Sequence, residues 1–164
     1  MPEALEGWSD FNVAMVGATA ALAGLLIVAM SVNISTIMAS ASLPPRAAAS
    51  IATLVLAIVA CSLGLVPGQP VWAYGVEVLV ATLLAAMFQV HAMRVIGRET
   101  NVPAVDRALK ASAGVVPLAA FLVGGVLIVG GAPTAGLIAV AVGSILAVIA
   151  AIVMAWVVLV ELLR

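Results

Sequence analysis

Long apolar stretches alternate with short polar or proline- and glycine-rich breaks along this chain. Helix-breaking residues interrupt the pattern at 44–45, 67–70 and 130–133, and a polar loop at 97–110 supplies the fourth break. A helix needs about 20 apolar residues to cross a bilayer. The pattern therefore predicts five membrane helices, with four or six as the alternatives. The predicted spans are about 11–38, 47–66, 71–96, 111–130 and 134–162.

Two of these predicted helices carry a stripe of small residues at helical spacing. The stripe of the first helix comprises Gly17, Ala21, Gly24, Val28, Ser31 and Ser35. The stripe of the fifth comprises Gly136, Val140, Gly143, Ala147 and Ala151. Small side chains let helix backbones approach closely in lipid, where packing drives association. We predict that the first helix is the central post of the bundle, and that the fifth pairs with it or with a neighbouring subunit.

The composition excludes a soluble domain. Hydrophobic residues make up 66% of the 164 residues and charged residues 8%, against about 45–50% and about 25% in ordinary globular chains. The first ten residues contain Glu3, Glu6 and Asp10 but no Lys or Arg, so the basic start of a secretory signal is missing. We expect one all-α transmembrane domain over 1–164, with the first apolar stretch retained as a helix.

The basic residues predict the orientation of this bundle. Threaded through five spans, all six fall on one side of the membrane, which should be the cytoplasmic side. They are Arg46, Arg94, Arg98, Arg107, Lys110 and Arg164. The acidic N-terminus and both proline-glycine turns fall on the other side. The predicted topology is N-out/C-in in a bacterial inner membrane, with the cytoplasmic loop at 97–110 able to meet anionic lipid headgroups.

The most informative polar position is Glu77, near the outer end of the third predicted helix. A carboxylate there should face protein or water rather than lipid. One interpretation is a proton- or cation-handling group, alone or in a ring of copies. The other is a carboxylate solvated at the membrane interface. His91 lies about 21 Å further along the same helix, where it is either the second end of a polar path or an interfacial residue near Arg94.

Thr82 and Gln89 share another face of the third predicted helix. The Gln89 amide can bond across to another helix, and such bonds stabilise membrane bundles by about 0.6–2 kcal/mol. Its candidate partners are Asn12, Asn33, Thr53 and Ser62. We favour this packing role for both residues over a substrate site.

No catalytic or cofactor-binding motif is recognisable in the sequence. Cys61 is the single cysteine and His91 the single histidine, whereas a zinc site needs three or four ligands. The chain also lacks a phosphate-binding glycine loop and a nucleophile motif. Its net charge of −1 is uninformative about nucleic acid, but the sequence contains no basic cluster longer than a loop. We expect no enzyme, no cofactor, no metal and no nucleic-acid partner.

Two segments of the sequence are recognisable landmarks. The first runs from Trp8 to Asn33, and the second combines 65–69 with 75–77. Together they resemble a group of small bacterial polytopic membrane proteins, some labelled modulator of the membrane-anchored AAA protease. The likeness covers about the first half of the chain. It implies that Asn33, Gln69 and Glu77 are family-type polar positions, without assigning them roles.

Two functional hypotheses follow. The first is a non-enzymatic membrane subunit that self-associates or accompanies a larger membrane assembly as an accessory or modulatory subunit. The second is a small homo-oligomeric channel or transporter, whose shared axis would be lined by Asn33, Glu77, Thr82 and Gln89. Membrane lipids are partners in either case.

Overall fold

The computed structural model describes residues 3–32, 34–98 and 104–162, with side chains for all of these except residues 3, 36, 104–113 and 161–162. Regular structure in these ranges is entirely α-helical, without a strand, as predicted. The helices are α1 (Glu3–Glu6), α2 (Ser9–Val32), α3 (Ile34–Ala39), α4 (Leu43–Leu63), α5 (Val71–Gly97), α6 (Ala104–Val129) and α7 (Pro133–Leu162).

Four stretches of the described chain are long and apolar enough to cross a membrane. They are Ser9–Val32, Leu43–Leu63, Val71–Gly97 and Pro133–Val160. α6 contributes a shorter apolar segment, Gly114–Val129, where the fourth span was predicted. The helix itself begins at Ala104, so the second half of the loop predicted at 97–110 is helical. These lengths and compositions are those of a multi-pass membrane protein.

The predicted first span corresponds to two helices. α2 ends at Val32 and α3 begins at Ile34, on either side of residue 33, which lies outside the described ranges. The two prolines at 44–45 were expected only to terminate the first span, yet both lie in the first turn of α4. Proline is tolerated there because the first N–H groups of a helix have no intrahelical partner. α4 consequently begins at Leu43 rather than at 47.

The two predicted glycine turns are present, and each contains a glycine with positive φ. Gly68 has φ 70° in the α4–α5 turn, and Gly131 has φ 90° after α6. The Ala132 N–H donates to the Leu127 carbonyl at 2.8 Å and the Gly131 N–H to the Ile128 carbonyl at 3.2 Å. This pair of bonds is a Schellman motif, which satisfies carbonyls that the end of α6 would leave free.

The bundle is organised around α4, so the prediction that the first helix is the central post is wrong. α4 contacts α2, α3, α5, α6 and α7, and its Ala47, Ala57 and Ala60 are completely buried. Alanines at these contacts let the neighbouring helices approach closely. The buried residues of α2 are only Asn12, Thr19, Ala23 and Leu26.

The small stripe of α2 faces away from the bundle. Gly17, Ala21, Gly24 and Ser31 are exposed, so their predicted packing role does not operate within the chain. A side chain added at Gly17 or Gly24 would meet no other atom within 4 Å. Lipid tails cover an apolar helix face as well as protein does, which is why hydropathy alone did not show which face is buried.

The small stripe of α7 packs as predicted, but mainly against α6. Gly136 and Gly143 are buried, and so is Ala147. A Cβ at Gly136 would lie 2.7 Å from the Gly124 carbonyl oxygen, and one at Gly143 would lie 3.0 Å from the Phe121 ring. The expected pairing with the first helix is limited to the C-terminal end of the stripe, where Ala151 clusters with residues of α2 and α4.

Candidate functional site

The α4–α5 turn brings together two polar residues that the sequence singled out separately. We call this end of the bundle the turn end. Gln69 lies in the turn and Glu77 in the second turn of α5, and the Gln69 Nε2 donates a hydrogen bond to the Glu77 Oε2. Both residues are half-buried. Glu77 therefore faces protein, as an acidic residue near a membrane interface should, and its partner comes from its own chain.

Two further polar side chains are buried near the turn end. Tyr74 is 1% exposed and belongs to the main core cluster. Asn12, at the start of α2, packs against the end of α4, because a Cβ at Gly64 would lie 2.6 Å from the Asn12 Nδ2. Asn12 is thus placed at the turn end, away from Gln89, for which it was a candidate partner.

Polar residues in the middle and at the far end of α5 differ in burial. Thr82 and Gln89 are buried, with Gln89 6% exposed, whereas His91 is exposed. The Thr82 hydroxyl donates to the Val78 carbonyl of its own helix at 2.7 Å. The buried polar face of α5 consequently contains Thr82 and Gln89, and His91 lies outside it. Asn33, the remaining candidate, lies outside the described residues.

Gln89 is accommodated by a glycine on the neighbouring helix. A Cβ built at Gly114 of α6 would lie 2.2 Å from the Gln89 Oε1 and 2.7 Å from its Nε2. Only a residue without a side chain leaves room for the amide at this point. Gly114 thus leaves the space between α5 and α6 that the Gln89 amide occupies.

A polar cavity of about 50 Å³ adjoins Gln89 at the opposite end of the bundle from the turns. We call this the basic end, because it contains Arg46, Arg94 and Arg98. The polar residues lining the cavity are Arg46, Ser50, Thr53 and Gln89. The Thr53 hydroxyl donates to the Ala49 carbonyl at 2.9 Å, and the buried Ser50 Oγ has no hydrogen-bond partner among the described residues.

Sequence reasoning named Gln89 and Thr53 but missed Arg46 and Ser50 as members of one site. It also missed Ser144, which is fully buried in α7 and lies 3.7 Å from the Cys61 sulfur of α4. Ser144 donates to the Val140 carbonyl at 3.0 Å. Cys61 is itself buried, as a free cysteine. The sequence signal that could have identified Ser50 and Ser144 is a hydroxyl group within a long apolar run.

The main polar groups described above lie at two separate places in the bundle. Among the described residues, no group of three His, Cys, Asp or Glu side chains is placed to hold a metal ion. The polar side chains instead form a hydrogen-bonded pair at the turn end and a cavity at the basic end. Comparisons of the chain with protein-family models, curated proteins and solved structures give no match.

Proposed function

We propose that this protein is a non-enzymatic polytopic subunit of a bacterial inner membrane that self-associates through the outward face of α2. The observation that carries the proposal is the exposure of the whole small stripe on that helix. Gly17, Ala21, Gly24 and Ser31 are exposed, and open space surrounds both glycines. In lipid, such a face permits close helix–helix packing that bulky residues prevent.

The buried and the exposed residues of α2 lie on opposite faces of the helix. At about 100° per residue, Thr19 and Leu26 lie on the side opposite to Gly17 and Gly24. The first pair is buried against the bundle and the second pair is exposed. α2 can therefore hold the bundle with one face and a second copy with the other, without any rearrangement.

We further propose five spans in the N-out/C-in orientation. α6 is counted as the fifth, because its 26 residues extend about 39 Å at 1.5 Å per residue. Arg46 begins α4 and Arg94 ends α5, so both lie at the basic end. Of the other basic residues, Arg98 follows α5, Arg107 and Lys110 lie in the first two turns of α6, and Arg164 is the last residue of the sequence. The positive-inside rule then assigns the basic end to the cytoplasm.

The alternative of a homo-oligomeric channel has less support from the positions of the polar residues. A shared pore would need side chains that face the neighbouring copies. Thr82 and Gln89 are instead buried within one chain, and Glu77 is bonded to Gln69. In a channel, Glu77→Gln would change ion leak from vesicles while the oligomer stays intact. We expect unchanged leak.

The mass of the protein in lipid nanodiscs tests self-association. Two single changes, Ala21→Leu and Ala18→Leu, form a matched pair, because both alanines are exposed on α2. Ala21 belongs to the small stripe, whereas Ala18 lies about 100° away from Gly17. We expect a native oligomer that Ala21→Leu dissociates and Ala18→Leu preserves.

Three outcomes of this mass measurement would decide between the possibilities. A native protein that is monomeric in nanodiscs would contradict self-association. Equal effects of the two leucines would contradict the role of the stripe. The third outcome is a larger membrane protein that co-purifies with the native chain and with Ala18→Leu but not with Ala21→Leu. In that result the larger protein, rather than a second copy, occupies the stripe, and this chain is an accessory subunit. The resemblance to proteins labelled as protease modulators favours that version.

A further inference from the structure

The polar cavity at the basic end has the donor groups of an anion site. Arg46 supplies a guanidinium with five N–H donors, and Ser50 supplies a hydroxyl that has no partner among the described residues. Arg46 and Gln89 each interact with another group of the chain, and a guanidinium has enough N–H donors to serve more than one partner. The described lining contains no Asp or Glu.

An apolar groove lies next to this cavity, between α6 and α7. It has a volume of about 170 Å³ and is lined by Val116, Pro117, Leu146, Ile149, Ala150 and Val153. Ala150 and Val153 also line the polar cavity, so the two spaces adjoin. The groove lies toward the middle of the bundle, since Pro117 and Leu146 are each further from the basic end than the cavity residues of the same helix. The groove thus lies beside the polar cavity, on the side away from the basic end.

We propose that these adjoining spaces bind a phospholipid with an anionic headgroup. One water needs about 10–15 Å³, so the cavity of about 50 Å³ has room for one phosphoryl group. Arg46 and Ser50 donate to its oxygens, and an acyl chain lies in the groove. Basic pockets between membrane helices on the cytoplasmic side bind anionic headgroups in this way. The groove is what favours a lipid over free phosphate, and the assignment does not depend on self-association through α2.

Native mass spectrometry of the protein from nanodiscs of equal parts phosphatidylglycerol and phosphatidylcholine tests this site. We expect preferential retention of phosphatidylglycerol. Arg46→Gln should reduce that retention about fivefold, since one basic residue near an anionic surface contributes about 1 kcal/mol. Arg94→Gln is the control, because Arg94 is exposed at the same end and does not line the cavity.

A second pair of variants tests the groove without disturbing the core. Val153 and Ile152 are 49% and 52% exposed, so a phenylalanine at either position is compatible with folding. Val153→Phe fills the junction between cavity and groove and should also reduce phosphatidylglycerol retention. Ile152→Phe, on a neighbouring face of α7, should leave it unchanged.

Several results would overturn the proposal. Equal retention of the two lipids would show that the cavity does not select an anionic headgroup. Equal losses in Arg46→Gln and Arg94→Gln, or in Val153→Phe and Ile152→Phe, would place the lipid elsewhere on the surface. Displacement of phosphatidylglycerol by millimolar inorganic phosphate would identify a free-anion site and contradict the lipid assignment.

Discussion

Buried amide side chains connect the helices of this bundle at both of its ends. Gln89 of α5 fits over Gly114 of α6, and Asn12 of α2 fits over Gly64 at the end of α4. In each case the glycine leaves the space that the amide occupies. An amide cannot be left unsatisfied in an apolar medium without a cost of several kcal/mol. The two amide–glycine contacts therefore place polar groups between α5 and α6 and between α2 and α4.

Gly114→Ala tests the contact at the basic end. The new Cβ would lie 2.2 Å from the Gln89 Oε1, so the amide must leave its position and lose its interactions. We expect the free energy of unfolding in micelles to fall by about 1–3 kcal/mol, measured by titration with a denaturing detergent. Gly97→Ala is the control, since nothing lies within 4 Å of a Cβ there. If the loss in Gly114→Ala is unchanged when Gln89 is also replaced by alanine, the contact is not its cause.

The hydrogen bond between Gln69 and Glu77 should appear as a coupling energy. Because it joins the α4–α5 turn to α5 in a half-buried position, we expect a double-mutant cycle of Gln69→Ala and Glu77→Ala to give about 1 kcal/mol. The free energy of unfolding of the four proteins measures it. Additive effects of the two changes would show that the pair does not contribute to stability.

Single residues were identified from the sequence more readily than their partners. Glu77, Gln69 and Gln89 are conspicuous because polar groups are costly in lipid. The hydrogen bond from Gln69 to Glu77 depends on the path of the α4–α5 turn, in which Gly68 has a positive φ. The polar cavity combines α4 with α5, whose residues 46 and 89 are far apart in sequence, so no local pattern reveals it.

The closest helix pair, α6 and α7, is built on glycines facing each other. A Cβ at Gly136 would lie 2.5 Å from the Ile128 Cγ1 and 2.9 Å from the Ile128 backbone nitrogen. Backbone atoms cannot move aside as a flexible side chain can, so any larger residue must push the helices apart. The Schellman motif after α6 places these two helices side by side across a short turn.

Gly136→Ala should weaken this helix pair. We expect the free energy of unfolding in micelles to fall by about 1–3 kcal/mol, the usual cost of overpacking a well-packed contact. In Gly24→Ala nothing lies within 4 Å of the new Cβ, and stability should stay unchanged or rise slightly with the better helix propensity of alanine. A tolerated Gly136→Ala would contradict the tight α6–α7 contact.

The helices themselves were predictable because their limits depend on local chemistry. Proline and glycine interrupt the apolar pattern, and the observed α5 and α7 agree with the predicted 71–96 and 134–162 within a few residues. Which face of each helix packs inside the chain was less predictable. Both α2 and α7 carry a small stripe, yet only that of α7 packs inside the chain. Lipid and protein are alternative partners for such a face, and a single sequence does not distinguish them.

On the scale of the whole molecule, the charged side chains of the described residues lie near the two ends, and an extended apolar exterior lies between them. Large exposed residues such as Leu25, Leu83 and Ile149 suit contact with lipid. The small stripe of α2 is the part of this exterior where a second backbone can approach most closely. We propose that another copy of the chain packs on this stripe.

Disulfide formation in membranes between copies carrying one added cysteine on α2 tests that claim most directly. The native Cys61 is buried and should not react between copies. We predict a covalent dimer for Ala21→Cys under mild oxidation and none for Ala18→Cys, because only position 21 belongs to the stripe. The absence of a dimer at position 21, or equal formation at both positions, would contradict self-association through this face.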